Sequence, residues 1–191
     1  MKYFFPSLFM LVLIALNGCS TTLYPQTPDR AKLIEEIIQK SVMVQTVANS
    51  NYKKKTEEEI IELSKFSTLE RKQKITTPLS SDYWSNYENN LVLFTRDMNS
   101  TTEKALSEYK DEYSSELSRA TDEELEILAN SPDMESTKTY KKVMRRDGYM
   151  AIYYFQSLNR FELKAIHDHL ARMSKLDSEY NVCSFYEDCW K

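Results

Sequence analysis

Glycine is the residue that this sequence most clearly lacks, with two among 191 positions, where an average usage of roughly 7% would give about thirteen. Strand-rich folds need glycine in hairpin turns and bulges, and phosphate-binding loops need it where the backbone approaches the ligand. The chain also contains no GxGxxG, GxxxxGKS/T or GxSxG motif. The sequence therefore argues against a strand-rich fold, a nucleotide-binding loop and a serine-hydrolase nucleophile elbow.

Histidine is similarly scarce, and its placement argues against a metal site. His167 and His169 are the two histidines of the chain, and residues two apart on a helix do not face each other. The HExxH pattern, which would place two histidines on one helical face, is absent from the sequence. We expect no metal site and no cofactor.

Carboxylates are plentiful, but they gather where helices are predicted to begin. Residues 57–59 and 122–124 are acidic runs, and the helix dipole favours negative charge at a helix N-terminus. No pair of carboxylates stands out as a catalytic acid and base. We therefore expect no catalytic residue and no enzymatic activity. A hydrolase that acts on cell wall or lipid through carboxylates is the alternative.

The N-terminus carries an apolar run that is too short to cross a membrane as a helix. Lys2 precedes the run over residues 4–16, of which residues 8–16 are uninterrupted. A transmembrane helix needs about twenty apolar residues. Residues 1–18 are therefore predicted to be a signal peptide.

The signal segment leads into the sequence Leu-Asn-Gly-Cys at residues 16–19. An aliphatic residue before two short residues and a cysteine resembles the lipobox of bacterial lipoproteins, and the resemblance covers residues 1–20. It implies cleavage before Cys19, a diacylglycerol thioether on its sulfur and an acylated amine, which together anchor the chain firmly to a membrane. Ser20 in place of Asp implies, in Gram-negative members of the family, sorting to the outer membrane, and we expect the chain at its periplasmic face. An ordinary secretory signal with a chance cysteine is the alternative.

Two further cysteines lie near the C-terminus. Cys183 and Cys189 are separated by five residues, and disulfides persist in the oxidising envelope that the resemblance implies. We expect a disulfide between them that pins residues 181–191 as a C-terminal tail. A zinc site is the alternative, although two cysteines without nearby histidines do not fill a tetrahedral site.

Between these ends the pattern is helical almost throughout. Residues 19–27 are predicted to be a lipid anchor and tether, and residues 28–180 a helical domain. Three helix starts carry capping signals: Thr27 before Pro28, Thr56 with Glu59, and Thr121 with Glu124. The predicted fold is all-α, a single bundle of about five to seven helices.

Apolar residues recur at helical spacing along this domain. The strongest period, a core-facing stripe, consists of Trp84, Tyr87, Leu91, Phe94, Met98 and Ala105. The helix that starts after Thr56 carries Ile60, Leu63 and Phe66, and the last predicted helix carries Leu163, Ile166, Leu170 and Met173.

The remaining helix boundaries rest on weaker signals. Ser131 before Pro132 predicts a helix start, and Asn159 predicts another. Ser100 marks a candidate break in the helix of the strongest period. Whether Gly148 ends a helix stays open.

The segment Thr121-Asp122-Glu123-Glu124-Leu125, followed by Ser131-Pro132, is similar to a family of helical bacterial periplasmic domains of unknown function. The similarity covers residues 121–132 and rests on two helix starts. It implies an all-α envelope domain with no known activity.

A basic stripe is the sharpest surface feature of the sequence. Its members lie at i, i+3, i+4, i+7 and i+8 of a predicted helix and so share one face: Lys138, Lys141, Lys142, Arg145 and Arg146. The stripe either faces the acidic segment 103–126 and solvent, or meets anionic lipid headgroups, cell-wall carboxylates or an acidic partner. Tyr149 and Tyr153 follow it at i, i+4 spacing, which suits either a core edge or a contact surface.

These observations favour a membrane-anchored envelope lipoprotein whose non-catalytic helical domain binds or positions another envelope component. Residues 138–155 are the expected contact. A stand-alone structural or stress-related lipoprotein is the alternative beside the hydrolase. No nucleic-acid partner is expected, because the net charge is −4 and the implied address is the envelope. The sequence leaves the partner, the leaflet topology and the oligomeric state open.

Overall fold

The computed structural model describes residues 24–50, 54–75, 78–144 and 149–182. Within these ranges 83% of the residues are helical and none forms a strand. The prediction of an all-α fold is confirmed. The scarcity of glycine fits this result, because glycine disfavours helix interiors by about 1 kcal/mol relative to alanine.

Seven α-helices and one short 3₁₀ helix follow one another in the described part of the chain. In chain order they are α1 (Pro28–Lys40), α2 (Val42–Asn49), α3 (Glu57–Lys74), α4 (Ser81–Leu117), α5 (Asp122–Asn130), the 3₁₀ helix (Met134–Ser136), α6 (Lys138–Val143) and α7 (Tyr149–Glu179). The two longest, α4 and α7, have 37 and 31 residues, which corresponds to about 55 and 46 Å at 1.5 Å per residue.

The described residues divide into two compact units. The first unit contains residues 24–41 and 113–144, which hold α1, the last turn of α4, α5, the 3₁₀ helix and α6. The second unit contains the remaining described residues, which hold α2, α3, most of α4 and α7.

Three helices begin where their capping signals predict. The hydroxyl oxygen of Thr27 accepts a hydrogen bond from the backbone N–H of Arg30 at 3.2 Å, and Pro28 is the first residue of α1. Thr56 and Thr121 each form a reciprocal capping box with the glutamate three residues later. These caps contribute about 1 kcal/mol each, because they satisfy amides that have no partner within the helix.

The predicted helix start at Ser131 is wrong, because Ser131 ends α5 instead. Its backbone N–H donates to the carbonyl of Leu128 at 3.3 Å, and its hydroxyl donates to the carbonyl of Ile127 at 2.6 Å. The next α-helix begins after Thr137, whose hydroxyl oxygen accepts from the backbone N–H of Tyr140 at 3.0 Å.

The two long helices run through the positions where breaks are predicted. Ser100 lies inside α4, where its hydroxyl donates to the carbonyl of Asp97 at 2.7 Å. Asn159 lies inside α7, on its exposed side. Because the hydroxyl of such a serine already forms a hydrogen bond with a carbonyl of the preceding turn, the serine can lie inside a helix instead of capping its N-terminus.

A buried arginine organises one end of the first unit. Arg30, in the first turn of α1, is only 5% exposed. Its guanidinium donates to the carbonyls of Ser118 at 3.1 Å and Ala120 at 2.6 Å, and it forms an ion pair with Asp122. Arg30 therefore satisfies carbonyls just beyond the C-terminus of α4, which have no partner in that helix.

The core of the first unit lies mainly between α1 and α5. Lys40, in the last turn of α1, donates to the carbonyl of Ala129 near the end of α5. Since Arg30 contacts the start of α5 and Lys40 its end, the two helices run in the same direction. The apolar side chains buried in these helices are Ile34, Ile37, Ile38, Leu125, Leu128 and Ala129.

In the second unit, α4 and α7 pack antiparallel. Early residues of α4 contact late residues of α7, and the order then reverses along both helices: Tyr83 with Asp177, Phe94 with His169, and Tyr109 with Tyr154. Side chains of the two helices therefore meet over more than six turns.

α3 lies along the same pair of helices. At its C-terminal end, the guanidinium of Arg71 lies 4.6 Å from the ring of Tyr87 in α4. At its N-terminal end, Glu57 forms an ion pair with Arg96, further along α4. α3 is therefore antiparallel to α4, and these two helices and α7 form a three-helix arrangement.

Tyrosine rather than leucine fills much of the interior. Six tyrosines of the described ranges are buried: Tyr83, Tyr87, Tyr109, Tyr113, Tyr140 and Tyr154. Four of them belong to α4, which carries the strongest apolar period of the sequence. Rings of this size fill the space between long helices, and the hydroxyl group requires a polar partner nearby.

Candidate interaction surfaces

The predicted basic stripe begins on α6. Lys138, Lys141 and Lys142 are exposed, whereas Tyr140 and Val143 are buried on the other side of this helix. The two arginines of the stripe, Arg145 and Arg146, lie outside the described residues, and so does Gly148.

One of these lysines is engaged within the first unit. The ammonium nitrogen of Lys142 lies 2.5 Å from a carboxylate oxygen of Glu124, the glutamate of the α5 capping box. This hydrogen bond, together with the one from the backbone N–H of Thr121, lowers the pKa of Glu124, and the same pairing raises the pKa of Lys142. Lys142, one member of the basic stripe, therefore faces the acidic segment 103–126.

The two predicted tyrosines belong to the second unit. Tyr149 and Tyr153 lie in the first turns of α7 with ring centroids 6.0 Å apart, and both are half-buried. Burial, and then the nearby carboxylates of Glu108 and Glu112, raise the pKa of Tyr153. The lysines and the tyrosines of the predicted contact therefore lie in different units.

The three cysteines lie outside the described residues. They are Cys19, the predicted lipidation site, and Cys183 and Cys189, the predicted disulfide pair. Their roles stay predictions.

The most buried carboxylate of the second unit belongs to a cluster that connects three helices. One oxygen of Asp177 accepts from the hydroxyl of Tyr83 at 2.7 Å, and both of its oxygens lie 3.0 Å from a guanidinium nitrogen of Arg71. Burial, and then the hydrogen bond to Asp177, raise the pKa of Tyr83. Since both carboxylate oxygens are engaged by side chains of α3 and α4, this cluster is suited to holding the helices together.

The two histidines have different surroundings. His169 is half-buried and stacks on Phe94, with ring centroids 4.5 Å apart, whereas His167 is exposed. Burial, and then the charge of Arg172, lower the pKa of His169. In the described ranges, no three His, Cys, Asp or Glu side chains gather in a way that could hold a metal ion.

α7 presents a row of large apolar side chains to solvent. Five of them are 40–60% exposed: Ile152, Phe155, Leu163, Ile166 and Leu170. With Asn159 they recur every three or four residues and therefore form one helical face; we call the five apolar residues the α7 face. Helices of globular domains usually turn such residues to the core.

The inward positions of α7 are filled by other side chains. Of the four apolar residues that the sequence assigns to this last helix, only Met173 is buried. The other inward positions hold Met150, Tyr154, Ser157, Ala165, Leu176 and Asp177. Apart from Tyr154, whose ring contacts that of Tyr109 in α4, these side chains are smaller or more flexible than the tyrosines that α4 buries.

On α3, too, large apolar residues are exposed while shorter side chains are buried. Ser64 and Thr68 are buried, and their hydroxyls donate to carbonyls of the preceding turn at 2.7 Å. Ile60 is buried as predicted, but three other large apolar residues of the helix, Leu63, Phe66 and Leu69, are 42–60% exposed, and we call these three the α3 face. Ser64 and Thr68 share the inward side of α3 with Ile60, and the α3 face lies on the outer side of the helix.

The sequence does not indicate the α3 face as a contact surface, and of the α7 face only Ile152 and Phe155 fall within the predicted contact at residues 138–155. The only available signal is the excess of apolar residues on α3 and α7 over the positions that the core requires. This excess becomes visible once the inward positions are known.

Comparison of the chain with protein-family models, with curated proteins and with solved structures found no match. None of the helices in the described ranges is long and apolar enough to cross a membrane.

Proposed function

We propose that this chain is a lipid-anchored lipoprotein of the bacterial envelope whose helical region binds another protein and has no catalytic role. The observation that carries the binding role is the α7 face. Five large apolar side chains stand in one row on a single helix and are 40–60% exposed. Asn159 interrupts the row, and exposed clusters of apolar side chains such as those on either side of it are typical of sites that another molecule covers.

The energetic reason is the cost of hydrated apolar surface. Full burial of a leucine, isoleucine or phenylalanine contributes about 1.5–3 kcal/mol, so five half-exposed side chains leave several kcal/mol available to a partner. A partner that covers the row gains this free energy, less the cost of association.

The anchoring role rests on the lipobox resemblance at Cys19. The tether of eight residues that follows it reaches at most about 28 Å when fully extended. An anchored helical region would therefore stay near the membrane surface, where its partner would be another envelope component. The exposed residues Lys138 and Lys141 remain the predicted second contact.

Chemical crosslinking in the native envelope tests this function. The full-length lipidated protein is compared with a Phe155→Ser, Ile166→Ser double variant. The matched control is Ile127→Ser, which changes a residue of α5 that is 43% exposed. We expect the native form and the control to form the same crosslinked protein complex, and the double variant to lose it.

Two results would contradict the proposal. One is a complex of unchanged yield with the double variant. The other is the absence of any complex with a native protein whose lipidated mass has been confirmed. A Lys138→Glu, Lys141→Glu variant shows in the same experiment whether the basic stripe contributes.

A further inference from the structure

The predicted tether contacts the first unit before α1 begins. The ring of Tyr24, the first residue that the structure describes, lies 5.2 Å from the guanidinium carbon of Arg30. A cation and an aromatic ring attract each other at this distance. Arg30 is the buried arginine that forms an ion pair with Asp122 at the start of α5. Tyr24 therefore lies where the beginnings of α1 and α5 meet.

α6 reaches the same part of the first unit. Lys142 pairs with Glu124, which is two residues after Asp122 in the first turn of α5. The hydrogen bond with Glu124 raises the pKa of Lys142, and Tyr24 adds to that shift. Since α6 has six residues, or about 9 Å of helix, its other two lysines lie close to the same point.

The connection between the predicted lipid site and this contact is short. Five peptide units join Cys19 to Tyr24, and they span at most about 18 Å when fully extended. A membrane that holds an acylated Cys19 would therefore have its headgroups within about 18 Å of Tyr24. The surface around Tyr24 is the part of the first unit that the anchor would keep nearest to the lipid.

The side chains around Tyr24 suit a lipid surface. Tyr24 is 37% exposed, and tyrosine rings favour the headgroup level of a membrane, because one end of the ring is apolar and the other is hydrated. α6 carries three exposed lysines and no acidic residue. Lysines close to an anionic membrane are attracted to it.

Carboxylates of the first unit limit this attraction. Glu124 is engaged by Lys142, and Asp122 by Arg30. Other acidic residues are exposed on α1, on α5 and before α6: Asp29, Glu35, Glu36, Glu123, Glu126 and Asp133. The lysines therefore cannot hold the unit on a membrane by themselves. An anchored chain forms its second contact within one assembly, however, so a weak attraction is enough to orient it.

We propose that Tyr24 and the exposed lysines of α6 lie against the anionic lipid surface in which Cys19 is anchored. The inference rests on the proposed function, because it requires the lipid anchor and names lipid headgroups as the contact of Lys138 and Lys141. It is carried by the contact of Tyr24 with Arg30, which leaves five peptide units between the anchor and the folded part. The anchor supplies the binding, and the lysines select the side that faces the headgroups.

Acylation of lysines by a membrane-impermeant amine-reactive ester tests this contact. The full-length lipidated protein is inserted into preformed vesicles of phosphatidylethanolamine with one-fifth phosphatidylglycerol, and the same protein in a non-ionic detergent is the reference. Mass spectrometry of peptides gives the reaction rate of each lysine. We expect Lys138 and Lys141 to react about fivefold more slowly in the vesicles than in the detergent.

A spacer provides the matched control. Ten glycine and serine residues inserted between Ser20 and Thr21 keep the anchor and the described helices but lengthen the connection. The slowing should then be less than about twofold, because the effective concentration of α6 at the lipid surface decreases. Vesicles of phosphatidylcholine, which has no net charge, should weaken the slowing of the native protein as well.

Two results would overturn the inference while the proposed function stands. One is an equal rate in vesicles and detergent for a protein whose lipidated mass has been confirmed. The other is a slowing that neither the spacer nor the uncharged vesicles reduce. The protein complex formed through the α7 face is measured separately and would be unaffected. A mature protein without acyl chains would overturn the anchor, and therefore the proposed function and this inference together.

Discussion

The first unit buries most of its large apolar side chains, with Ile127 as an exception at 43% exposure, whereas the second unit exposes many of its own. Ile34, Ile37 and Leu128 in the first unit are at most 4% exposed, whereas Phe66 and Leu163 in the second unit are 60% and 57% exposed. The interior of the second unit consists largely of tyrosine, methionine, alanine and short polar residues, and its buried larger aliphatic side chains are Val44, Ile60 and Leu176. Aromatic and polar contacts therefore have a larger share in the interior of the second unit than in that of the first, and apolar surface of the second unit is exposed to solvent.

The strongest test of this comparison is removal of the buried carboxylate of the second unit. Asp177→Ala leaves Arg71 and the hydroxyl of Tyr83 without their partner, and we expect the free energy of unfolding to fall by about 3–5 kcal/mol. Urea unfolding of the full-length protein, followed by circular dichroism, measures it. Asp168→Ala, which removes an exposed pair with Lys164, is the control and should cost at most about 0.5 kcal/mol. A similar loss in both variants would refute the structural role of the cluster.

A pair of leucine substitutions compares the two units directly. Leu128→Ala in the first unit should lower the free energy of unfolding by about 2–5 kcal/mol, because it leaves a cavity at a fully buried position. Leu163→Ala in the second unit should lower it by less than about 1 kcal/mol, because the side chain is already hydrated. Thermal unfolding of both variants checks the difference. Equal losses would mean that Leu163 is covered in the free protein.

Loss of the cap at the start of α6 should lower the free energy of unfolding by a smaller amount. Thr137→Ala should cost about 1 kcal/mol, because its hydroxyl oxygen caps the backbone N–H of Tyr140. Ser131→Ala should cost only a few tenths of a kcal/mol, because its exposed hydroxyl bonds back to the end of α5. Thermal unfolding of the two variants measures both costs. If Ser131→Ala were the more costly change, Ser131 would be the cap of the following helix after all.

The smallest expected effect is a pH dependence that arises in the second unit. Burial, with the charge of Arg172 adding to it, lowers the pKa of His169, although a hydrogen bond with the backbone of Asn90 opposes the shift. Below the ordinary histidine pKa of about 6.5, the unfolded chain therefore binds more protons than the folded chain. The free energy of unfolding should fall as the pH is lowered from about 7.5 to 6.

Two matched variants assign this dependence to one residue. His169→Gln should flatten the change in stability over this pH range, whereas His167→Gln should leave it as in the native protein, because His167 is exposed. Urea unfolding at the two pH values measures it. An unchanged slope in the His169→Gln variant would show that another group titrates.

The helix starts were predictable because capping is local. Thr27, Thr56 and Thr121 each cap an amide within three residues of themselves, so a short piece of sequence contains all the groups involved. Ser131 before Pro132 has the same local pattern. Here the hydroxyl of Ser131 bonds to the end of α5, and Asp133 leads into a 3₁₀ helix instead.

The buried faces of α3 and α7 were not predictable in the same way. Leu63 and Leu163 have the spacing of core residues, but other residues of the same helices take the inward positions: Ile60, Ser64 and Thr68 on α3, and Tyr154, Ser157 and Ala165 on α7. The boundary between the two units is hidden for a similar reason. It falls between Glu112 and Tyr113, inside the continuous helix α4, where the composition does not change.

The buried Arg30 has a mechanical consequence for a chain anchored at Cys19. A pulling force on the lipid would pass along the tether and enter the folded part in the first turn of α1. There the guanidinium is bonded to residues 118–122, about ninety positions further along the chain. The force would therefore be shared with the end of α4 and the start of α5 before α1 could be peeled away.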